Sequence, residues 1–444
     1  MSYAGFRRDI PGIAAAYKVA DILQRAGYKG VLVGGSVRDI LSGRIPDDYD
    51  MVTTAPPDKL AEIFNDSKFV GASFGVSLLK VDGISLELAS ARSERHYLDG
   101  RHPEQIVFTD DLSLDAARRD FTVNALMYDL ISGELYDFTG GVEDLKKGVL
   151  RTVGKASERF GEDYLRMLRA VRFAANCNLE PDDECIEAVK LMAPQAVKIS
   201  AERIYQELNR MLGGRNPEKA FRLLEKTSLL QYILPEVAVL RQVGQPPQYH
   251  PEGDVLEHTL LMLRHMVFPD ALTGWTVLFH DIGKKAAFSR DESGRIRFFN
   301  HETIGADMCL DICRRLHFSN SDTEKCVKAV RNHMRFASVT MMRQPKLRKL
   351  VADDNFALEL ELHRLDCIAC HGIMDGFVYL LDYMNEHPGS TELPPPWVRG
   401  ADLLRAGFKP SPRFKTVLES VYEQQLNNAF SSPAEALEAA KKLF

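Results

Sequence analysis

Apolar positions recur every three to four residues over residues 13–26, the period of a helix with one buried face, and Gly27 stops the run. A short apolar stretch, 30–33, predicts a strand ending in Gly34-Gly35, and 37–41 predicts a helix closed by Ser42-Gly43. Residues 48–53 read as a further strand. The runs 76–81 and 84–89 flank Asp82-Gly83, a hairpin signal because both turn residues tolerate positive φ. From Gly161 onward strand signals nearly vanish. Helical periodicity covers 164–177, 202–212, 217–225, 254–266, 273–282, 303–316, 323–333, 355–374 and 433–443. The pattern therefore predicts an α/β head on a long all-helical body. Polar, proline-bearing stretches at 242–249 and 387–396 mark the expected later boundaries, and no internal repeat or low-complexity segment interrupts the chain.

Length and charge narrow the picture. At roughly 100–200 residues per domain, 444 residues suggest two to four domains. Hydrophobic residues at 45% and charged residues at 27% exclude a disordered or collagen-like chain. A net charge of −6 leaves no bulk positive field for nucleic acid, so a polyanion has to be gripped by a local patch. Seven cysteines are too few and odd in number for a disulfide framework, which suits a reducing compartment. Residues 1–30 mix Arg7, Arg8, Asp9, Lys18, Asp21 and Arg25 into their apolar positions, unlike an export signal, and no run of 18 apolar residues occurs. The expectation is a cytoplasmic protein that does not enter a membrane. Oligomeric state is left open.

Asp48 and Asp50 fall at i and i+2 on the expected strand, so both carboxylates leave one face. Two carboxylates held so close repel each other, and hard oxygen ligands with room for water and phosphate suit Mg²⁺. A solvent-facing strand edge gives the same pattern. The segment Val31-Leu32-Val33-Gly34-Gly35-Ser36-Val37-Arg38-Asp39 adds a glycine pair between strand and helix, with backbone N–H groups facing an anion and Arg38 one turn in. It is neither a Walker A loop nor a GxGxxG fingerprint. Joined to Asp48 and Asp50, it reads as a triphosphate cradle facing a metal pair. Glu87, on the second hairpin strand, is either a third carboxylate of that site or an exposed strand residue.

These motifs, with Arg118-Arg119-Asp120-Phe121-Thr122-Val123-Asn124-Ala125-Leu126, Asp137-Phe138-Thr139-Gly140-Gly141 and Gly161-Glu162-Asp163-Tyr164-Leu165-Arg166-Met167-Leu168-Arg169-Ala170-Val171-Arg172-Phe173, resemble the class II tRNA nucleotidyltransferases (CCA-adding enzymes) and the related bacterial poly(A) polymerases. The resemblance covers about residues 28–240. It implies an α+β chain whose polymerase-β-like nucleotidyltransferase head has a small mixed sheet, followed by a helical neck, body and tail. It implies two Mg²⁺ ions on Asp48 and Asp50, nucleotide phosphates on Gly35 and Arg38, nucleotide contact by Arg119, and ribose contact by Asp120 and Asn124. The Asp137–Gly141 turn resembles the family's hinge. Residues 93–111, with His96, Tyr97, Gly100 and Arg101, read as a polar mobile loop resembling the one needed for adding the final A.

Asp163, Arg166, Arg169 and Arg172 advance three residues at a time and line one helix ridge, while Leu165, Leu168 and Val171 turn inward. Such a ridge is ordinarily a solvated or salt-bridged face. Beside a nucleotide it gains meaning. Cytosine and adenine both present an amine donor beside a ring-nitrogen acceptor, which a carboxylate and a guanidinium match, whereas guanine and uracil reverse the order. Asp163 and Arg166 would thus admit CTP and ATP, and Arg169 and Arg172 resemble the family's further ATP-contacting positions.

Farther on, Leu278-Phe279-His280-Asp281-Ile282-Gly283-Lys284 resembles the HD phosphohydrolases. Carried over, His258, His280, Asp281 and Asp366 form the primary metal set, and His301 and His333 fit the extra histidines of two-metal members. Mixed imidazole and carboxylate donors suit Mn²⁺, Fe²⁺, Ni²⁺ or Zn²⁺ better than Mg²⁺. The implied chemistry is attack of activated water on a phosphomonoester or 2′,3′-cyclic phosphate, with a vestigial structural site as the alternative. Cys367-Ile368-Ala369-Cys370-His371 spells a haem-attachment pattern but sits in an apolar-periodic helix, and reads as packing.

Arg343, Lys346, Arg348 and Lys349 form a basic cluster that is either a phosphate contact or a solvated helix start. From Ala401 the tail carries six Lys/Arg against five Asp/Glu, which favours a substrate read by shape, such as the tRNA acceptor and T arms. The expected order is a nucleotidyltransferase head at 1–150, a templating neck at 151–240, an HD body at 241–375 and a tRNA-contacting tail at 376–444. The leading expectation is addition of C, C and A to the tRNA 3′ end from CTP and ATP. Poly(A) or A-only addition is the alternative, and an HD phosphohydrolase with a non-catalytic RNA-binding head is more distant.

Overall fold

The computed structural model describes residues 5–64, 68–69, 75–97, 103–246 and 253–444. It divides into two compact units, Met1–Ala238 and Val239–Phe444.

In the first unit α1 (Pro11–Arg25) starts on a proline and buries Ile13, Ala16, Ala20 and Leu23 along one stripe. It feeds β1 (Gly30–Val33), α2 (Gly35–Leu41), β2 (Asp50–Thr53), α3 (Pro57–Ile63), β3 (Lys68–Phe69), β4 (Val76–Val81) and β5 (Ile84–Ser90). After these come β6 (Arg92–Tyr97), β7 (Pro103–Phe108), α4 (Leu112–Ala117), β8 (Met127–Asp129), β9 (Leu135–Tyr136) and α5 (Gly141–Lys147). Seven strands form one mixed sheet in the order β3-β4-β5-β2-β1-β8-β9, in which only the β2–β5 pair is parallel. The alternation along β1 and β2 sorts two cores. Leu32 and Met51 face the stripe of α1, and Val31, Val33 and Val52 face Ala116, Ala125 and Met127. The β4–β5 hairpin turns on Asp82 at φ 51° and Gly83 at φ 83°, the paired positive dihedrals that its sequence announces.

The same unit continues through β10 (Val149–Leu150), α6 (Ala156–Glu162), α7 (Leu165–Asn176), β11 (Glu180–Pro181), α8 (Asp183–Met192), α9 (Ala201–Leu212), α10 (Pro217–Lys226), α11 (Leu230–Ile233) and α12 (Pro235–Ala238). Helix α7 packs against α9 and α10. Its Leu165, Met167, Leu168, Ala170 and Val171 are buried.

The second unit is helical: α13 (Val255–Arg264), α14 (Ala271–Phe279), α15 (Lys284–Ala287), a hairpin of β12 (Phe288–Arg290) and β13 (Ile296–Phe298), α16 (His301–Arg315) and α17 (Asn320–Asn332). It ends with α18 (Gln344–Val351), α19 (Phe356–Ala369), α20 (Asp375–Glu386), α21 (Gly400–Arg405), α22 (Arg413–Leu426) and α23 (Pro433–Lys442). Fully buried Trp275 anchors its centre, with Phe279 and Phe318 ring centroids 5.2 and 5.0 Å away. Among the described residues no helix is long and apolar enough to cross a membrane.

Three expectations change. The strand expected at 48–53 begins at Asp50, because its partner β1 ends at Val33 opposite Asp50 and Gly34 turns away at φ 67°. Asp48 lies in the bend before it. Within the expected loop 93–111, β6 and β7 pair antiparallel, Ser93 opposite Val107 and Arg92 opposite Phe108, supported by the apolar run Ile106-Val107-Phe108. His96 and Tyr97 belong to β6, whereas Gly100 and Arg101 lie outside the described residues. The helix expected over 355–374 ends at Ala369, where Cys370 leaves helical backbone and Gly372 adopts φ 70°. Small β10–β11 and β12–β13 pairs also occur where strand signals were weak.

Candidate functional site

In the first unit, the strand pairing sets Asp50 directly opposite Glu87 on the parallel β2–β5 ladder. Both occupy the sheet face that carries Val52 and Ala89. Surrounding protein pushes the Asp50 carboxyl up to about 6, Glu87 and Asp48 push the same way, and Arg119 opposes them. Two paired acids, with Asp48 in the preceding bend adding to the charge that raises Asp50, form an arrangement a divalent cation relieves, so the donor set fits Mg²⁺. Among the described residues these carboxylates do not close to the 4.8 Å spacing that the histidine groups of the second unit reach.

Beside the acids, α2 begins at Gly35. A β-carbon on Gly34 would stand 3.3 Å from Arg119 Nη1, and one on Gly35 3.6 Å from Arg38 Nη2, so both glycines leave the backbone bare against guanidinium groups. Arg38 Nη1 donates to Asn124 Oδ1 at 2.6 Å, Asn124 Nδ2 donates to Asp120 Oδ1 at 3.2 Å, and Arg169 Nε donates to Asp120 Oδ2 at 2.7 Å. Burial pushes the Asp120 carboxyl up, but Arg169 and Asn124 prevail and hold it at about 2. Arg38, Arg169 and Arg172 all stand over the Phe173 ring, at 5.3, 5.1 and 4.1 Å from its centroid. The structure thus gathers Gly35, Arg38, Arg119, Asp120, Asn124, Arg169 and Arg172 around one buried aromatic ring and one chain of hydrogen bonds.

The arginine ridge is not solvated. Arg172 Nε donates to buried Glu207 at 2.6 Å. Arg166 bonds Glu162, and also donates to the carbonyls of Arg159 at 3.1 Å and Arg118 at 3.2 Å. Asp163 precedes α7 in extended backbone and accepts from Leu165 N at 3.0 Å. Both its oxygens receive Arg203, at 3.1 and 2.6 Å. The side chains of Asp163 and Arg166 are therefore held by separate partners, although Arg166 N donates to the Asp163 carbonyl at 2.9 Å.

Sequence reasoning missed Arg203 and Glu207, which lie four apart on α9 and face the ridge. It also missed Asp115. This carboxylate is wholly buried, bonds Arg118 at 2.6 Å through one oxygen and Arg119 at 3.0 Å through the other, and so aims Arg119. The i+3 and i+4 spacing to those arginines was the available signal. In the hinge-like turn, Asp137 Oδ1 accepts from Gly140 N and Gly141 N at 2.8 Å each, and Oδ2 accepts from Val142 N at 2.9 Å, capping α5.

The second unit brings its six histidine and aspartate candidates together as two trios. His258, His280 and Asp366 form one, and Asp281, His301 and His333 the other, each with ligand atoms within 4.8 Å of one another. The adjacent pair is thus shared between trios, and His280 Nε2 stands 3.0 Å from Asp281 Oδ2. His280, His301 and His333 direct Nδ1 to the carbonyls of Val277, Phe298 and Val330 at 2.8, 2.8 and 2.7 Å. That fixes the tautomer and turns Nε2 inward, the usual orientation of metal-bound imidazole. His301 Nε2 and His333 Nε2 lie 3.2 Å apart, and His301 Nε2 also stands 3.4 Å from Asp281 Oδ1, so the three ligand atoms converge on one point that a cation could occupy. Burial pushes His333 down to about 4, leaving it a neutral donor. Burial pushes the Asp281 carboxyl up, but His280 and Lys284 hold it well below the usual range. Lys284 Nζ reaches Asp281 at 2.6 Å and Gln245 at 2.7 Å. The donor chemistry fits Mn²⁺, Fe²⁺, Ni²⁺ or Zn²⁺.

Of the other candidates, Lys349 pairs with Glu423 at 3.2 Å, and Cys367 is buried at the end of α19.

Comparison with known families places a poly A polymerase head domain at residues 31–151, a probable RNA and SrmB-binding site of polymerase A at 178–240, and an HD domain at 254–364. A CCA-adding enzyme of Staphylococcus epidermidis is 36% identical over 48% of this chain and 52% of its own length. One of Lactobacillus helveticus is 38% identical over 52% of this chain and 57% of its own. The chain therefore spans about half the length of these relatives, although one of Levilactobacillus brevis aligns over 96% of both chains at 29% identity. Among solved structures, the Bacillus stearothermophilus CCA-adding enzyme in complex with CTP superposes with a TM-score of 0.71, at 23% identity, covering 97% of this chain and 98% of that one. The Thermotoga maritima CCA-adding enzyme complexed with tRNA_CCA gives 0.60 at 17% identity, covering 97% and 95%. The chain thus matches, in order, the models of a poly A polymerase head domain, a probable RNA and SrmB-binding site of polymerase A and an HD domain, and it has the fold of the CCA-adding enzymes.

Proposed function

We propose that this chain is a CCA tRNA nucleotidyltransferase, adding C, C and A to the tRNA 3′ end from CTP and ATP in the cytoplasm. We further propose that its HD body hydrolyses a terminal phosphomonoester or 2′,3′-cyclic phosphate. In this reading residues 1–150 are the catalytic head, 151–240 the templating neck, 241–375 the HD body and 376–444 a tRNA-contacting tail. The observation that carries it is the Asp50–Glu87 pairing beside the Arg38–Asn124–Asp120–Arg169 chain, an acidic edge next to a cationic pocket.

Asp48, Asp50 and Glu87 would hold Mg²⁺, which when bound supplies Lewis acidity at the RNA 3′-hydroxyl and neutralises the triphosphate. Gly35 and Arg38 bind the nucleotide phosphates, and Arg119 contacts the nucleotide. Asp120 and Asn124 accept and donate at the ribose. Asp163, still carrying lone pairs beyond those Arg203 uses, accepts from the exocyclic amine of cytosine or adenine, and Arg166 donates to the neighbouring ring nitrogen. For guanine or uracil, donor meets donor, and each buried unpaired group costs about 1–3 kcal/mol. Arg169 and Arg172 extend the pocket for ATP.

The test incubates tRNA ending before CCA, tRNA ending in CC, and an unrelated RNA with each nucleoside triphosphate and Mg²⁺. Ordered addition of C, C and A that then stops is expected, and the Asp48→Ala/Asp50→Ala protein is expected to be inert. Unlimited A addition to any RNA would instead establish a poly(A) polymerase. Addition of A alone to tRNA ending in CC would establish an A-adding enzyme. Undiminished extension by the double variant would overturn the assignment of the head.

A further inference from the structure

The second unit holds another group of ligating side chains that neither proposed activity uses. Cys309 and Cys313 lie one turn apart on α16, their sulfurs 3.9 Å from each other, and Cys326 comes across from α17, which packs along α16. All three sulfurs lie within 4.8 Å of one another, and all three residues are wholly buried. A single buried cysteine is ordinary packing, because the residue behaves as a small hydrophobe. Three sulfurs converging from two helices also form a coordination shell.

From this geometry we propose that Cys309, Cys313 and Cys326 bind one soft monovalent d¹⁰ cation, with Cu(I) as its type. The choice of ion follows from what the group lacks. Among the described residues no histidine or carboxylate completes the trio. Structural Zn²⁺ takes four donors, and a water supplying the fourth would have to enter a fully buried site. Hard cations such as Mg²⁺ and Ca²⁺ want oxygen. Thiolate sulfur selects Cu(I), for which three-coordinate binding is ordinary. On binding, each thiol that becomes a ligand releases its proton to solvent as the copper–sulfur bond forms, and copper stays in the +1 state.

The position gives the site a consequence. His301 opens α16 and His333 directly follows α17, so the sulfur group clamps the same helix pair that carries two of the HD histidines. A cation held there stabilises that pair without occupying the histidine trio.

The experiment uses the full chain, reduced and under anaerobic conditions, with Cu(I) offered from a chromophoric Cu(I) chelator. Wild type is expected to withdraw one equivalent, and Cys313→Ala and Cys326→Ala to bind about tenfold or more weakly. His280→Ala/His301→Ala is expected to bind as wild type does. Because a cysteine variant can unfold, X-ray absorption at the copper edge of the wild-type complex supplies an independent readout, for which sulfur-only coordination is expected. Failure of wild type to compete with the chelator, equal uptake by folded cysteine variants, or nitrogen scatterers around the copper would each overturn the proposal.

Discussion

Asp163 is the residue on which base choice turns in the proposed reaction, and its carboxylate is held by Arg203 from α9 as well as by Leu165 N at the start of α7. The bidentate contact fixes the plane of the carboxylate, so the lone pairs left for a base point in one direction. Arg203 touches no reacting atom in this reading and is a positioning residue. Arg203→Ala is expected to raise the relative use of UTP and GTP about 10- to 100-fold, the equivalent of losing a charge-assisted hydrogen bond of about 1.5–3 kcal/mol. CTP and ATP should lose more in KM than in kcat. Steady-state kinetics with all four triphosphates decide it, with Asp163→Ala as the reference for lost templating. A variant equally slow with every nucleotide would mark Arg203 as merely structural. A guanidinium and carboxylate 40 positions apart in the chain leave no local trace, which is why this pair was not legible beforehand.

At the level of elements, the turn before α5 is tighter than its glycines alone suggest. A β-carbon on Gly141 would fall 2.2 Å from the carbonyl oxygen of Thr122, in the turn that presents Asn124. The Thr122 hydroxyl is tied to Asp144 of α5 at 2.7 Å, so neither side can yield alone. Gly141→Ala is expected to destabilise by about 1–3 kcal/mol, read as a fall of roughly 2–9 °C in melting temperature. It should also impair nucleotide addition by shifting Asn124. Gly140, left-handed at φ 83° with open space around it, is the control: Gly140→Asn should stay within about 1 kcal/mol. Equal melting temperatures for wild type and Gly141→Ala would refute the close contact. Elements whose cause is local were legible in the same way. The Asp82-Gly83 hairpin and the β1–glycine–α2 passage followed from turn chemistry and period. The start of β2 was not legible, because pairing with β1 decides it, nor was the pairing of β6 with β7. The histidines stood out through the HD-like segment, whereas their division into two trios, with His280 and Asp281 on different sides, exists only in space.

For the molecule as a whole, the two units present donor sets of opposite character, and that makes their chemistries separable by metal. The head offers carboxylate oxygen from Asp48, Asp50 and Glu87, while the HD body offers imidazole nitrogen from His258, His280, His301 and His333 together with Asp281 and Asp366. Oxygen sites accept Mg²⁺, whereas imidazole sites favour Mn²⁺, Ni²⁺, Fe²⁺ or Zn²⁺. The protein stripped with chelator should therefore lose both proposed activities. Mg²⁺ alone is expected to restore nucleotide addition while leaving hydrolysis of a 2′,3′-cyclic phosphate or a phosphomonoester near background. Added Ni²⁺ or Mn²⁺ should restore hydrolysis. His280→Ala removes a ligand from one trio and a 3.0 Å neighbour of Asp281 from the other, so it should abolish that hydrolysis while nucleotide addition continues at close to the wild-type rate. Asp50→Ala should do the reverse. The two assays run on one preparation of each variant also exclude global unfolding, since each protein keeps one activity as the control for the other. Hydrolysis restored by Mg²⁺ alone and insensitive to His280→Ala would dissociate the activity from the histidine trios and leave the HD body a structural element.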